Sequence, residues 1–129
     1  MSSLGSRFCR SRIALVSILL ARIVYGVGLV VDPTRLTRRW LGPLSEPTVV
    51  ALRGLGAREI VLHVMALVSA LRGGPVRPFL AGSMAGDLAD IVATTAARRG
   101  LPAGSAPATI VVAGASAAIS AGVAAGADR

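Results

Sequence analysis

Four apolar stretches, each about as long as a bilayer is thick, take up most of this chain of 129 residues. A hydrocarbon core of ~30 Å is crossed by roughly 20 apolar residues in a helix. The stretches at residues 13–31, 48–71, 79–97 and 106–126 meet that length. The chain is 53% hydrophobic, which leaves a soluble domain of this size too little polar surface. Only 3% is aromatic, so the apolar content is Ala, Val and Leu rather than the Phe and Tyr of a typical soluble core. These features predict an all-α fold: a bundle of four transmembrane helices in one domain, multi-pass in the cell membrane, with the lipid bilayer as its main partner.

The formal net charge is +8, and all fourteen basic residues are arginine. Nucleic-acid binding needs basic residues clustered on a polar surface. Here most arginines sit between apolar runs, which suits anionic lipid headgroups instead. Nucleic acid is therefore not an expected partner. Cys9 is the only cysteine, so no intrachain disulfide is possible. It stands beside a basic stretch and is expected to be a free thiol. The Ala, Gly and Arg bias without Lys is typical of a GC-rich bacterial genome.

Arg7, Arg10 and Arg12 precede the first apolar run, as they would in a signal peptide. Arg22 splits the apolar core, and only Gly26 and Gly28 approach a small-residue cleavage site. An uncleaved first helix is expected. Asp32-Pro33 then opens a short segment that Gly42-Pro43 closes, which is the pattern of an N-cap, an N1 proline and a stop. Leu36, Trp40 and Leu41 share one face of it, and Arg35, Arg38 and Arg39 the other. This predicts an interfacial helix at about residues 33–41, anchored by Trp40. Ser45-Glu46-Pro47 starts the second span. Arg72-Gly73-Gly74-Pro75 is a tight turn that makes the second and third spans antiparallel neighbours. Arg98-Arg99-Gly100 ends the third span, and Ser105 with Pro107 starts the fourth.

With both ends of the chain inside, the inner side holds Arg7, Arg10, Arg12, Arg72, Arg77 and Arg129. The outer side holds Arg35, Arg38, Arg39, Arg98 and Arg99. The bias is slight, and the N-terminal cluster favours cytoplasmic termini.

Charges also fall in the middle of the spans: Arg22 in the first, Arg58 and Glu59 in the second, Asp87 and Asp90 in the third. One charge at the bilayer centre costs ~2.5–3.5 kcal/mol on insertion scales. These residues should therefore face one another. Glu59 and His63 are four apart and share a face. Ser83, Asp87, Asp90 and Thr94 form a polar seam on the third span. The expected pairing sets Arg22 and Arg58 against Asp87 and Asp90, and Glu59 against His63. One negative charge is left over, to be balanced by a proton or by Arg53.

Such a network can serve only to fix how helices dock. It can equally be a proton relay or substrate site. Both readings stand on the sequence, and His63 fits either a satisfied core histidine or a proton shuttle. Asp87-x-x-Asp90 places two carboxylates on one face, a geometry Mg²⁺ accepts. The acids are too few for a diphosphate site, the Asp-Gly-x-x-Ala-Arg element of alcohol phosphatidyltransferases is missing, and nearby arginines compete. No metal or cofactor is expected, and no Ser/His/Asp or Cys/His pattern marks a catalytic residue.

Gly82-x-x-x-Gly86 with Ala89 and Ala93 on the third span, and Gly114, Ala118, Gly122 and Gly126 on the fourth, form small-residue stripes. Stripes like these let helices pack closely, within the chain or against a second copy or another membrane protein.

The elements Arg53-Gly54-Leu55-Gly56-Ala57-Arg58-Glu59, Arg72-Gly73-Gly74 and Gly86-Asp87-Leu88-Ala89-Asp90, with Pro33…Trp40-Leu41-Gly42 before them, carry a family resemblance. The chain resembles small four-helix bacterial membrane proteins of unknown function, common in actinobacteria. These have a Gly-Ala-Arg-(Glu/Asp) element in the second helix and an Asp-x-x-Asp element in the third. The resemblance implies location and architecture and no activity. Three functions remain open: a non-enzymatic partner or accessory protein, a small proton-coupled transporter or channel using Glu59, His63, Asp87 and Asp90, and a membrane enzyme acting on a lipid or prenyl group.

Overall fold

A computed structural model describes residues 2–126, with the side chains of residues 10 and 12–126. Arg129 and the side chains of Arg7 and Cys9 lie outside the described residues. Among the described residues every regular element is helical. The helices are α1 (Ser2–Val31), α2 (Pro33–Leu41), α3 (Glu46–Leu71), α4 (Arg77–Ala96) and α5 (Ser105–Gly126), with a short 3₁₀ turn at Arg98–Gly100.

Three segments, Arg12–Val31, Glu46–Leu71 and Ser105–Gly126, are long and apolar enough to cross a membrane. α4 is outside that set because Asp87 and Asp90 lower its hydropathy.

The helix starts differ from the expected ones in a consistent way. α1 begins at Ser2 rather than at residue 13, because no proline interrupts the arginine-rich stretch before the apolar run. α3 begins at Glu46 rather than 48: the Ser45 side chain accepts from the Thr48 N–H, and Pro47 sits in the first turn. α4 begins at Arg77 rather than 79, with Pro78 in its first turn. Apolar content marks the stretch that can be buried or bathed in lipid, whereas caps and prolines mark where the backbone turns helical.

α2 spans the predicted residues for the predicted reasons. Asp32 Oδ1 accepts from the Arg35 N–H at 3.0 Å, and Pro33 fills the first turn. Gly42, at φ +73°, ends it. Thr37 is buried and donates to the Pro33 carbonyl at 2.8 Å, while Arg35, Arg38 and Arg39 are exposed.

The long helices pack mainly as two pairs, α1 on α3 and α4 on α5. The short turn does bring α3 beside α4, but that contact is less extensive. α1 crosses α3 at two glycines. A Cβ on Gly56 would lie 2.6 Å from the Gly26 carbonyl oxygen, and one on Gly26 would lie 2.8 Å from the Gly56 carbonyl oxygen. The expected small-residue stripes do not make this approach. At Gly114, Gly122 and Gly126 an added Cβ meets nothing within 4 Å, and Ala118 is exposed. On α4, Gly82, Ala89 and Ala93 are also exposed. Spacing alone identifies a helix face that permits close packing; it does not say which face is used.

The bundle has three layers. At the end where α3 turns into α4, Leu15, Leu19, Ala66, Val76 and Leu80 form the apolar core. A layer of ionisable and hydroxyl side chains lies in the middle. Toward the opposite end lie buried Leu29 and Leu52, with α2 resting against α1, α3 and α5.

Candidate functional site

Arg22, halfway along the apolar part of α1, organises the middle layer. Its Nη1 donates to Asp87 Oδ1 at 2.8 Å and to Ser116 Oγ at 3.2 Å. Its Nη2 stands 3.0 Å from Glu59 Oε2. One guanidinium thus bridges α1 to each of α3, α4 and α5. The glycine crossing makes part of this possible. Gly26 is one turn beyond Arg22, and Glu59 is three residues beyond Gly56, so the close approach of α1 and α3 brings Glu59 within reach. Glu59 and Asp87 are each 3% exposed. Carboxylates that far from water need a cationic or hydrogen-bonding partner, and Arg22 is that partner.

His63 lies one turn after Glu59 on the same face. Its Nδ1 donates to the Glu59 carbonyl oxygen at 2.8 Å and lies 3.5 Å from Glu59 Oε2. Its Nε2 is 3.2 Å from Ser83 Oγ, a hydrogen bond that ties α3 to α4. A carbonyl oxygen can only accept, so Nδ1 carries a proton.

The expected pairing is only partly what the geometry contains. Arg22 does meet Asp87, but it also takes Glu59. Arg58 does not pair with either aspartate. Its side chain is 57% exposed, and its ion-pair partner is Glu59, at 3.7 Å. Its guanidinium lies along α4 near Gly86, where an added Cβ would be 3.1 Å from Nη2. Arg58 directly precedes Glu59, so with Glu59 turned inward its own side chain is carried to the flank of the helix. Arg53 is exposed and supplies no balancing charge to the layer. Asp90 is half-buried and feels the charges of Arg58 and Arg22 without a direct ion pair to either. On the polar seam of α4, Ser83, Asp87 and Thr94 are buried.

The sequence reading missed α5's share. Ser105, Thr109 and Ser120 are buried, and Ser116 is reached by Arg22. Together with Ala113 these positions lie on one helical face, a stripe that hydroxyl spacing alone could have shown.

Beside the ionic layer lies a cavity of about 690 Å³, in the gap between α1 and α5. Its walls are mostly aliphatic, including Ile18, Val112 and Ile119. Arg22, Glu59, Asp87 and Asp90 reach it from the middle layer, and Tyr25 and Trp40 line it as well. Two acceptor atoms there lack an aligned donor: Asp87 Oδ2 and Glu59 Oε2. Two donors, Arg22 Nε and Trp40 Nε1, are also buried without an acceptor.

No family model matches the chain, and no curated protein or solved structure shows significant similarity to it.

Proposed function

We propose that the chain is a four-span integral membrane protein of the cell membrane with a non-enzymatic role, a partner or accessory protein whose helices are locked by Arg22. The observation that carries this is an inverted distribution of polarity. Glu59, His63, Asp87, Ser83 and Ser120 are 2–3% exposed, while Val24, Val31, Val92, Val111 and Val112 are each about 70% exposed. Water would favour the reverse, and lipid favours this arrangement. α4 is the fourth span on this reading. Its aspartates face the bundle, and its Leu88 and Val92 point outward. The resemblance of residues 53–59 and 86–90 to small four-helix bacterial membrane proteins points the same way. The outward stripe at Gly114, Ala118 and Gly122 offers a packing face for a second copy or another membrane protein.

Reporter fusions at residues 43, 73 and 103 test the span count. Four spans place 73 on one side of the membrane and the other two on the opposite side. Finding 73 and 103 on the same side would remove α4 from the membrane-crossing set.

A second reading, a small proton-coupled transporter or channel, is favoured by one observation. Arg22 faces two buried carboxylates, and Asp90 stands unpaired beside them. A proton on one carboxyl balances that excess. In proteoliposomes carrying a pH-sensitive dye, this reading expects a potential-driven pH change that Asp90→Asn abolishes without loss of folded protein. Flux equal to that of empty liposomes eliminates it.

A further inference from the structure

We propose that the cavity between α1 and α5 is a binding site for amphiphilic organic cations, molecules with a delocalised or quaternary positive charge among apolar substituents. The inference needs the cavity alone and does not depend on any transport step.

Charge is the first argument. The charged residues lining the cavity are one arginine and three carboxylates. Arg22 is already committed to Asp87, Glu59 and Ser116. The cavity therefore has an excess of negative charge, which an anion or a neutral lipid tail does not offset and a cation does. Arg58 does not line the cavity, but at 3.7 Å from Glu59 it offsets part of that excess, which leaves two arginines against three carboxylates.

Of the four buried polar atoms there without a hydrogen-bond partner among the described residues, Arg22 Nε and Trp40 Nε1 are donors and two are carboxylate oxygens, and only the oxygens bear on a cation. Asp87 Oδ2 is a buried acceptor without a donor, on a side chain only 3% exposed, whereas Glu59 Oε2 already has the Arg22 guanidinium 3.0 Å away. Asp90 adds a third carboxylate, which feels the charges of Arg58 and Arg22 but makes no direct ion pair with either. A buried carboxylate oxygen without a donor is costly, and a nearby positive charge lowers that cost.

Composition supplies the third argument. The chain has one tryptophan and one tyrosine, and Trp40 and Tyr25 both line this cavity. Aromatic faces attract a cation through the ring quadrupole. Together with aliphatic walls they suit a cation carrying alkyl or aryl groups rather than a small hydrated ion. A volume of about 690 Å³ accommodates a molecule of that kind. Its position between two helices lets an amphiphile enter from the lipid side.

The test uses the full chain in lipid nanodiscs, with tetraphenylphosphonium as the probe and Trp40 fluorescence as the signal. Empty nanodiscs correct for partitioning into lipid. Saturable quenching is expected, and Asp90→Asn should weaken half-saturation by about tenfold or more, since it removes one close charge. Tetraphenylborate, of the same shape and opposite charge, should not compete. Quenching that rises linearly with no plateau overturns the proposal, as does equal binding to Asp90→Asn. Competition by tetraphenylborate also overturns it, because it would make the site apolar without charge selection. A copurified phospholipid that the phosphonium fails to displace would assign the cavity to lipid and end the proposal.

Discussion

Gly26 and Gly56 meet backbone to backbone where α1 crosses α3, each within reach of the other's carbonyl oxygen. A methyl group on Gly56 would lie 2.6 Å from that oxygen and 2.8 Å from Leu29 Cβ, so the helices would have to separate. The spread would also draw Glu59 away from Arg22. Gly56→Ala is expected to cost about 1–3 kcal/mol, as overpacking does elsewhere. Gly114→Ala, where the added carbon meets nothing within 4 Å, is expected to be neutral or slightly stabilising through helix propensity. Reversible unfolding from mixed micelles compares the two. Equal stability of both variants would mean that the glycine crossing does not hold the pair.

Arg22 makes hydrogen bonds or ion pairs with partners on all three other long helices, so its removal should cost more than removal of any of its partners. Arg22→Met leaves Glu59 and Asp87 buried without their cation, and about 3–5 kcal/mol of stability should be lost. Asp87→Asn retains a hydrogen-bond acceptor and one carboxylate, and should lose less. The double variant Arg22→Met with Asp87→Asn should be more stable than the sum of the two losses predicts, because the second change removes a stranded charge. Additive losses in the double variant would show that the two residues do not act as a pair.

Much of the architecture was legible because it rests on local or periodic signals. The α2 cap at Asp32, the stop at Gly42 and the seam of Ser83, Asp87 and Thr94 all follow from residue type and spacing. The meeting of Arg22 with Asp87 was also readable, since charges in the middle of apolar helices have few places to go. What could not be read was three-dimensional choice. Arg58 and Glu59 are adjacent, so only one can face the middle layer, and nothing in their order says which. Glycine stripes occur on several faces, and the close crossing uses Gly26 and Gly56 rather than the longer stripe on α5. The cavity arises because α1 pairs with α3 and α4 with α5, leaving a gap between α1 and α5 that no single helix reveals.

Ser105 fastens α2 to the start of α5 by donating its hydroxyl to the Trp40 carbonyl. The contact joins residues 65 apart and is partly buried, so Ser105→Ala should leave that carbonyl without its hydroxyl donor at a cost of about 1 kcal/mol. The effect should be local. Hydrogen exchange at residues 33–41 is expected to speed up while the middle of α3 keeps its protection. Unchanged exchange in α2 would show that Pro33, Thr37 and the cap at Asp32 hold that helix without help from α5.

His63 is the only histidine, so ¹⁵N labelling of its ring reports on one site. Nδ1 faces the Glu59 carbonyl oxygen at 2.8 Å, where only a donor is favourable, and Nε2 faces the Ser83 hydroxyl at 3.2 Å. The ring is therefore expected to hold its proton on Nδ1 and to accept from Ser83 at Nε2, the less common tautomer of a free imidazole. Ser83→Ala should shift the Nε2 resonance and leave the Nδ1 signal nearly in place, with a stability loss of about 1 kcal/mol. A proton found on Nε2 with Nδ1 bare would place two acceptors face to face, and the ring would have to be turned over. Glu59 would then lose its neighbouring donor, and the link from α3 to α4 would run through the other edge of the imidazole.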